Sequence, residues 1–294
     1  MRFRGVMVGL MCVVLPAAAW AGSQADAKAQ FTQGNELLKK GDIEGAARAL
    51  EAAAKADPDN KAYQIRWMVV QRVASMRQSL DQQTDNDKWL NTARALHTFY
   101  YQNGILDQAL SLATKAHTKL NTTETAVMLA RSRLALGMNS EAAEGLRGIM
   151  KSKVNAEVRA LLGIALARQG RTDEAQKLLS GTKDAPSDQP EYQFDLARLC
   201  TLLGNDRQAC AALVRCFEST PPSALDSMKE QARTSDDLKP LRDKPAFKKA
   251  LETQSKVPES KCSQGMSCGK CPLKKKCQGG DKAKPQNGGQ RHKP

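Results

Sequence analysis

The chain has 294 residues, 45 lysines and arginines against 31 aspartates and glutamates, a formal net charge of +14 and only 4% aromatic residues. A basic excess of this size attracts polyanions when it covers a folded surface. Here residues 255–294 hold nine lysines and Arg291 against Glu259 and Asp281, a net +8, which leaves residues 22–254 at only +4. The body is therefore no nucleic-acid clamp.

The chain opens MRFRGVMVGLMCVVLPAAAWAGSQA, with Arg2 and Arg4 before an apolar run from Val6 to about Trp20 and small residues at Ala19 and Ala21. That order is the pattern of a secretory signal peptide, residues 1–21, cleaved before Gly22. The run is short for a bilayer span, which takes roughly 20 apolar residues, and Pro16 interrupts it. Cys12 lies inside the run and is discarded with it. No later stretch is apolar enough to span a membrane, so the expectation is an exported protein, periplasmic or secreted.

The body repeats itself. A glycine followed five residues later by alanine recurs as Gly41/Ala46, Gly104/Ala109, Gly137/Ala142, Gly170/Ala175 and Gly204/Ala209, at spacings of 63, 33, 33 and 34. Leu96, Leu129, Leu162 and Leu196 stand eight residues before the last four glycines, and Leu50, Ala113, Leu146, Leu179 and Leu213 stand nine residues after the five. Such columns describe pairs of helices joined at a left-handed turn, with small residues where the two helices approach and leucines between one pair and the next. One pair cannot bury its own apolar face, so the pairs stack. The predicted units are about 27–60, 90–122, 123–155, 156–188 and 190–222, within an array spanning 22–222.

The segment GNELLKKGDIEGAARALEAAAKADPDN resembles a tetratricopeptide repeat, with Gly34, Gly41, Ala46, Ala53 and Pro58 at that family's signature columns. The last unit keeps Pro221; the middle three lack the closing proline. The resemblance implies an all-α fold, an α-solenoid of stacked helix-turn-helix repeats, whose usual work is holding protein partners in a concave groove. Residues 61–89 carry no glycine column and read as either a degenerate unit or one long helix. Residues 223–254 read as a helical cap, and DDLKPLRDKPAFKKAL resembles the segment that often closes bacterial arrays of this family.

In the family's frame the groove-facing positions are Phe31/Asn35, Arg94/Thr98, Val127/Arg131, Ala160/Ile164 and Phe194/Arg198. The candidate partner-binding residues are thus Phe31, Asn35, Arg94, Arg131 and Arg198. The arginines suit an acidic peptide or a carboxylate; the alternative is that they are solvated or pair with neighbouring acids. The family's lysine–asparagine clamp for carboxyl-terminal peptides is incomplete, because Phe31 occupies the lysine column beside Asn35.

No catalytic constellation is present, and no enzyme activity or cofactor is expected. Of three histidines, His97 falls on a small-residue packing column and reads as a core or edge residue. Cys200, Cys210 and Cys216 lie in the last repeat; Cys200 and Cys216 occupy apolar columns and read as buried small hydrophobes, with a Cys200–Cys216 disulfide as the alternative. The basic tail, 255–294, carries Cys262, Cys268, Cys271 and Cys277 in C-x5-C-x2-C-x5-C spacing. Three readings stay open: two disulfides or a structurally idle tail, a thiolate site for Zn or Fe, and a redox or tethering role. Export favours disulfides. Residues 278–294 contain no aliphatic side chain larger than alanine and are expected to be disordered. The tail could also touch an anionic surface. The function expected is an exported protein–protein interaction scaffold, the rival a metal-handling protein that works through its tail.

Overall fold

The computed structural model describes residues 17–150, 155–181 and 189–258, with side chains described from Gln24 onward. The regular elements among them are all helical: α1 (Ala17–Lys39), α2 (Ile43–Ala56), α3 (Lys61–Leu80), α4 (Asn86–Gln102), α5 (Leu106–Leu120), α6 (Thr123–Ala135), α7 (Asn139–Met150), α8 (Ala156–Arg168), α9 (Thr172–Ser180), α10 (Pro190–Leu202), α11 (Asp206–Ser219), α12 (Pro222–Thr234), a 3-10 turn (Asp236–Leu241) and α13 (Pro245–Leu251). The all-α expectation holds. No helix among the described residues is long and apolar enough to cross a membrane. The expected leader lies largely before the described residues, and its cleavage point falls inside α1.

The chain forms two compact units, Met1–Ala185 and Pro186–Pro294. The first holds α1–α9 and the second α10–α13. Within the first, each helix packs on the next, and α6 also touches α4 and α8.

The glycine columns explain the hairpins. Gly41, Gly104, Gly137, Gly170 and Gly204 all have φ between +72° and +79°, where an L side chain costs about 1–2 kcal/mol. The residue after each glycine donates its N–H to the carbonyl five residues back (Asp42 to Leu37, Ile105 to Tyr100, Met138 to Arg133, Arg171 to Leu166, Asn205 to Cys200) at 2.8–3.0 Å. That bond closes the helix end and reverses the chain. The alanine and leucine columns behind the turns are buried throughout. Helix starts are fixed by side chains that accept otherwise orphaned N–H groups: Asp42 from Gly45, Asp85 from Asp87 and Lys88, Thr122 from Thr125, and Asn155 from Val158.

Gly34 shows how close the first hairpin is. A Cβ there would lie 2.7 Å from Leu50 Cγ and 3.3 Å from the Leu50 backbone nitrogen, and Leu50 is fully buried. Gly34→Val is therefore expected to lower the urea midpoint, at a cost of about 1–3 kcal/mol from overpacking. An unchanged midpoint would mean that α1 and α2 can move apart freely.

Residues 61–80 form one long helix, α3. It buries Val70, Val73 and Leu80 and is tied to its neighbours by polar contacts. Gln64 donates to the Ala54 carbonyl at 2.7 Å, Arg77 pairs with Glu44 at 3.3 Å, and Lys115 of α5 pairs with Asp81 at its end. Although α3 separates them in sequence, the first two glycine hairpins meet at their turns: Gln108 Nε2 donates to the Gly41 carbonyl at 2.7 Å.

In the second unit, the 3-10 turn packs on α10, and α13 packs on α11. Leu238, Leu241, Phe247 and Ala250 supply the apolar contact, each at most 2% exposed. The chain then returns to the end of α11: Ser255 Oγ donates to the Thr220 carbonyl at 2.6 Å and Lys256 N–H to the Glu218 carbonyl at 2.8 Å.

Candidate partner-binding face

The five positions read as groove-facing have separate fates. Phe31 is half-buried and stacks on Tyr63 of α3, ring centroids 4.5 Å apart. Asn35 donates to the Phe31 carbonyl at 3.0 Å and accepts from Arg66 Nε at 3.1 Å. It belongs to a polar link from α1 through α3 to Asn103, which accepts from Arg66 Nη2 at 3.0 Å. Val127, Ala160, Ile164 and Phe194 are buried, so over α6, α8 and α10 the column is not an open face. The reason is plain in α8, whose residues from Leu161 to Leu166 are all buried; a helix apolar around its whole circumference is an interior helix.

The three arginines each meet a carboxylate further along the chain. Arg94 Nη1 lies 3.0 Å from Glu124 Oε1, with both side chains substantially exposed, and the contact is out of line for a hydrogen bond. Arg94 also donates to Asn91. Arg131 Nη2 donates to Glu157 Oε1 at 2.8 Å, with the two side chains 16% and 24% exposed. Glu124 and Glu157 sit in the first turns of α6 and α8, where a negative charge also meets the positive end of the helix dipole. Each pair thus joins the first helix of one hairpin to the first helix of the next.

Arg198 is a correction to the expected binding residues. It is 3% exposed, with Nε donating to Asp237 Oδ2 and Nη1 to Asp195 Oδ1, both at 2.9 Å. It ties α10 to the 3-10 turn and has no surface to offer a partner. All three arginines pair with acids 26 to 39 residues downstream; Glu124 and Glu157 stand on one repeat column, thirteen residues before Gly137 and Gly170, and Asp237 on none.

His97 is buried, with Nε2 2.8 Å from Ser132 Oγ, which itself donates to the Met128 carbonyl at 3.1 Å. Since the serine proton is spent on Met128, His97 donates through Nε2 and is neutral. Burial first, and then the nearby Arg131 charge, push its pKa down to about 4. Beside α6, a cleft of about 150 Å³ is lined by His117, Leu129, Arg133 and Leu146 among others.

Cys200, Cys210 and Cys216 are free and buried. Burial pushes the Cys200 thiol up to about 11 and the Cys216 thiol up to about 12, so the reactive thiolate is suppressed. Among the described residues no three His, Cys, Asp or Glu side chains converge as a metal site would need. Cys262, Cys268, Cys271 and Cys277 lie outside the described residues.

Residues 27–60 match the tetratricopeptide repeat family model; they span α1 from Ala27 onward, the Gly41 turn, α2 and the turn that follows. No curated protein matches the chain. Among solved structures, the chain is similar to the MamA protein, at 17% identity and a TM-score of 0.32, over 72% of this chain and 96% of that one. It is also similar to a tetratricopeptide repeat protein from Parabacteroides merdae, at 16% identity and a TM-score of 0.36, over 78% of this chain and 98% of that one. These scores carry no argument about partners or about how the repeats are arranged. The chain carries a tetratricopeptide repeat at its start and continues in hairpins built on the same glycine, alanine and leucine columns.

Proposed function

We propose that this tetratricopeptide-repeat protein is an exported, non-enzymatic scaffold that holds a protein partner against the first-helix face of its first unit, with a partner carboxylate meeting Arg94. The supporting observation is the contrast among the arginines. Arg131 and Arg198 are committed to shielded carboxylates, whereas the Arg94 and Glu124 side chains are 54% and 41% exposed and their contact, through a covered Glu124 Oε1, is out of hydrogen-bond alignment. An exposed pair contributes about 0–1 kcal/mol, so a partner carboxylate with better geometry replaces Glu124 at little cost. The basic tail then serves as an attachment or ion-binding element.

The test is crosslinking of the intact exported chain to its partner, wild type against Arg94→Ala, with thermal melting to verify that both are folded. Arg94→Ala is expected to lower capture about tenfold, which corresponds to about 1.4 kcal/mol. Capture that ignores Arg94, together with about one Zn or Fe per chain lost on Cys268→Ser and Cys271→Ser, would transfer the function to the tail.

A further inference from the structure

The large apolar side chains that stand exposed among the described residues are Ile65, Met68 and Val69, at 55%, 46% and 42%, and all three lie on α3. The buried Val70, Val73 and Leu80 lie further along the same helix, so the exposed stripe occupies its first half. At 100° per residue, Ala62, Ile65 and Val69 fall within a narrow stripe, with Met68 along one margin. From Ala62 to Val69 the stripe runs about 10 Å, roughly two helical turns. A stripe of exposed aliphatic side chains on a helix between two well-packed hairpins costs solubility unless something uses it.

The charges on α3 say what uses it. Its sequence, KAYQIRWMVVQRVASMRQSL, holds four cations and no acid. Lys61 and Arg72 lie along one margin of the stripe and Arg66 along the other. The partners of Arg66 are the neutral amides of Asn35 and Asn103, which leave its positive charge uncompensated. Two copies of the chain docked α3 to α3 would bring their Lys61 and Arg66 charges together. The chain's own tail, at a net +8, is repelled in the same way.

We infer that the exposed face of α3 is a docking site for an acidic amphipathic helix, whose apolar side covers Ile65, Met68 and Val69 and whose flanking carboxylates meet Lys61 and Arg66. Recognition of this kind reads apolar anchors at helical spacing and sorts partners by the charges beside them. The site is distinct from Arg94, and either can fail without the other.

The probe is a labelled synthetic 20-residue helix with leucines at i, i+3 and i+7 spacing flanked by glutamates, measured by fluorescence anisotropy on the intact chain. Its counterpart with lysine flanks is the charge control, and the variant Ile65→Glu/Val69→Glu changes only exposed positions. Wild type is expected to bind the acidic helix at least tenfold more tightly than the lysine helix, and the variant to lose at least tenfold while keeping its melting midpoint. Equal binding by wild type and variant would overturn the inference, as would indifference to flank charge. Sedimentation showing a wild-type dimer that the variant abolishes would overturn it in favour of a second copy. Phosphatidylserine vesicles that bind wild type and not the variant, with the acidic helix unbound, would overturn it in favour of a membrane surface.

Discussion

Arg198→Ala is expected to destabilise the second unit by about 3–5 kcal/mol, because it leaves two carboxylates buried without their counterion. Asp195 and Asp237 are 2% and 5% exposed and share this one guanidinium, so neither can turn to water without opening the contact between α10 and the 3-10 turn. The buried thiols of α10 and α11 report the event directly. Labelling of Cys200, Cys210 and Cys216 by a thiol reagent requires the second unit to open, so their slow phase should accelerate by two orders of magnitude or more. Replacing the whole group, as Asp195→Leu, Arg198→Met and Asp237→Leu, should recover most of the loss, since apolar side chains of similar volume substitute well for a buried ionic group. A slow phase unchanged in Arg198→Ala would show that the group carries no weight in holding the unit closed.

The second large effect is a pH dependence centred on His97. Its folded pKa is about 4 against an ordinary value of 6.5. Above pH 6.5 the imidazole is neutral whether the chain is folded or not, and its contribution is present in full. As pH falls from 6.5 toward 4 the unfolded chain takes up a proton that the folded chain refuses, and stability drops; below 4 the loss is complete, at about 3 kcal/mol. Burial is the larger cause and Arg131 the second, and a hydrogen bond with the Met128 backbone opposes them in part. His97→Gln removes the titration, so the denaturation midpoints of wild type and variant should diverge between pH 6.5 and 4, with wild type falling more steeply. Parallel curves would show that the imidazole reaches water.

The hairpins were legible because their requirements are steric and fall on single residues. A left-handed turn needs glycine, and a close helix crossing needs alanine; both repeat at a fixed interval, so Gly41 or Ala109 announces its role without knowledge of any partner. Cys200 and Cys216 were legible in the same way, as apolar columns. The candidate face was less so. Arg94, Arg131 and Arg198 took their positions from the family frame, whereas their roles depend on Glu124, Glu157 and Asp237, which lie at unequal distances from them; Glu124 and Glu157 share a column thirteen residues before Gly137 and Gly170, and Asp237 lies beyond the repeats. Ile164 and Phe194 carried a clue in their own apolar character, which favours burial over a wet groove. The stripe on α3 could not be read at all: Ile65 and Val69 resemble core residues, and only the way the helix settles between its neighbours turns them outward.

The Arg94–Glu124 and Arg131–Glu157 pairs also bear on how such a chain can grow. The α6–α7 hairpin carries both halves of the connection, accepting through Glu124 and donating through Arg131. A tandem duplicate of it would find its charges already matched on both sides, so an added copy is electrostatically neutral at that point. The α8–α9 hairpin accepts through Glu157 but has Ile164 where the next donor would stand. A duplicate placed after it would leave its own glutamate unanswered. Length variation among relatives of this chain should therefore concentrate around α6–α7.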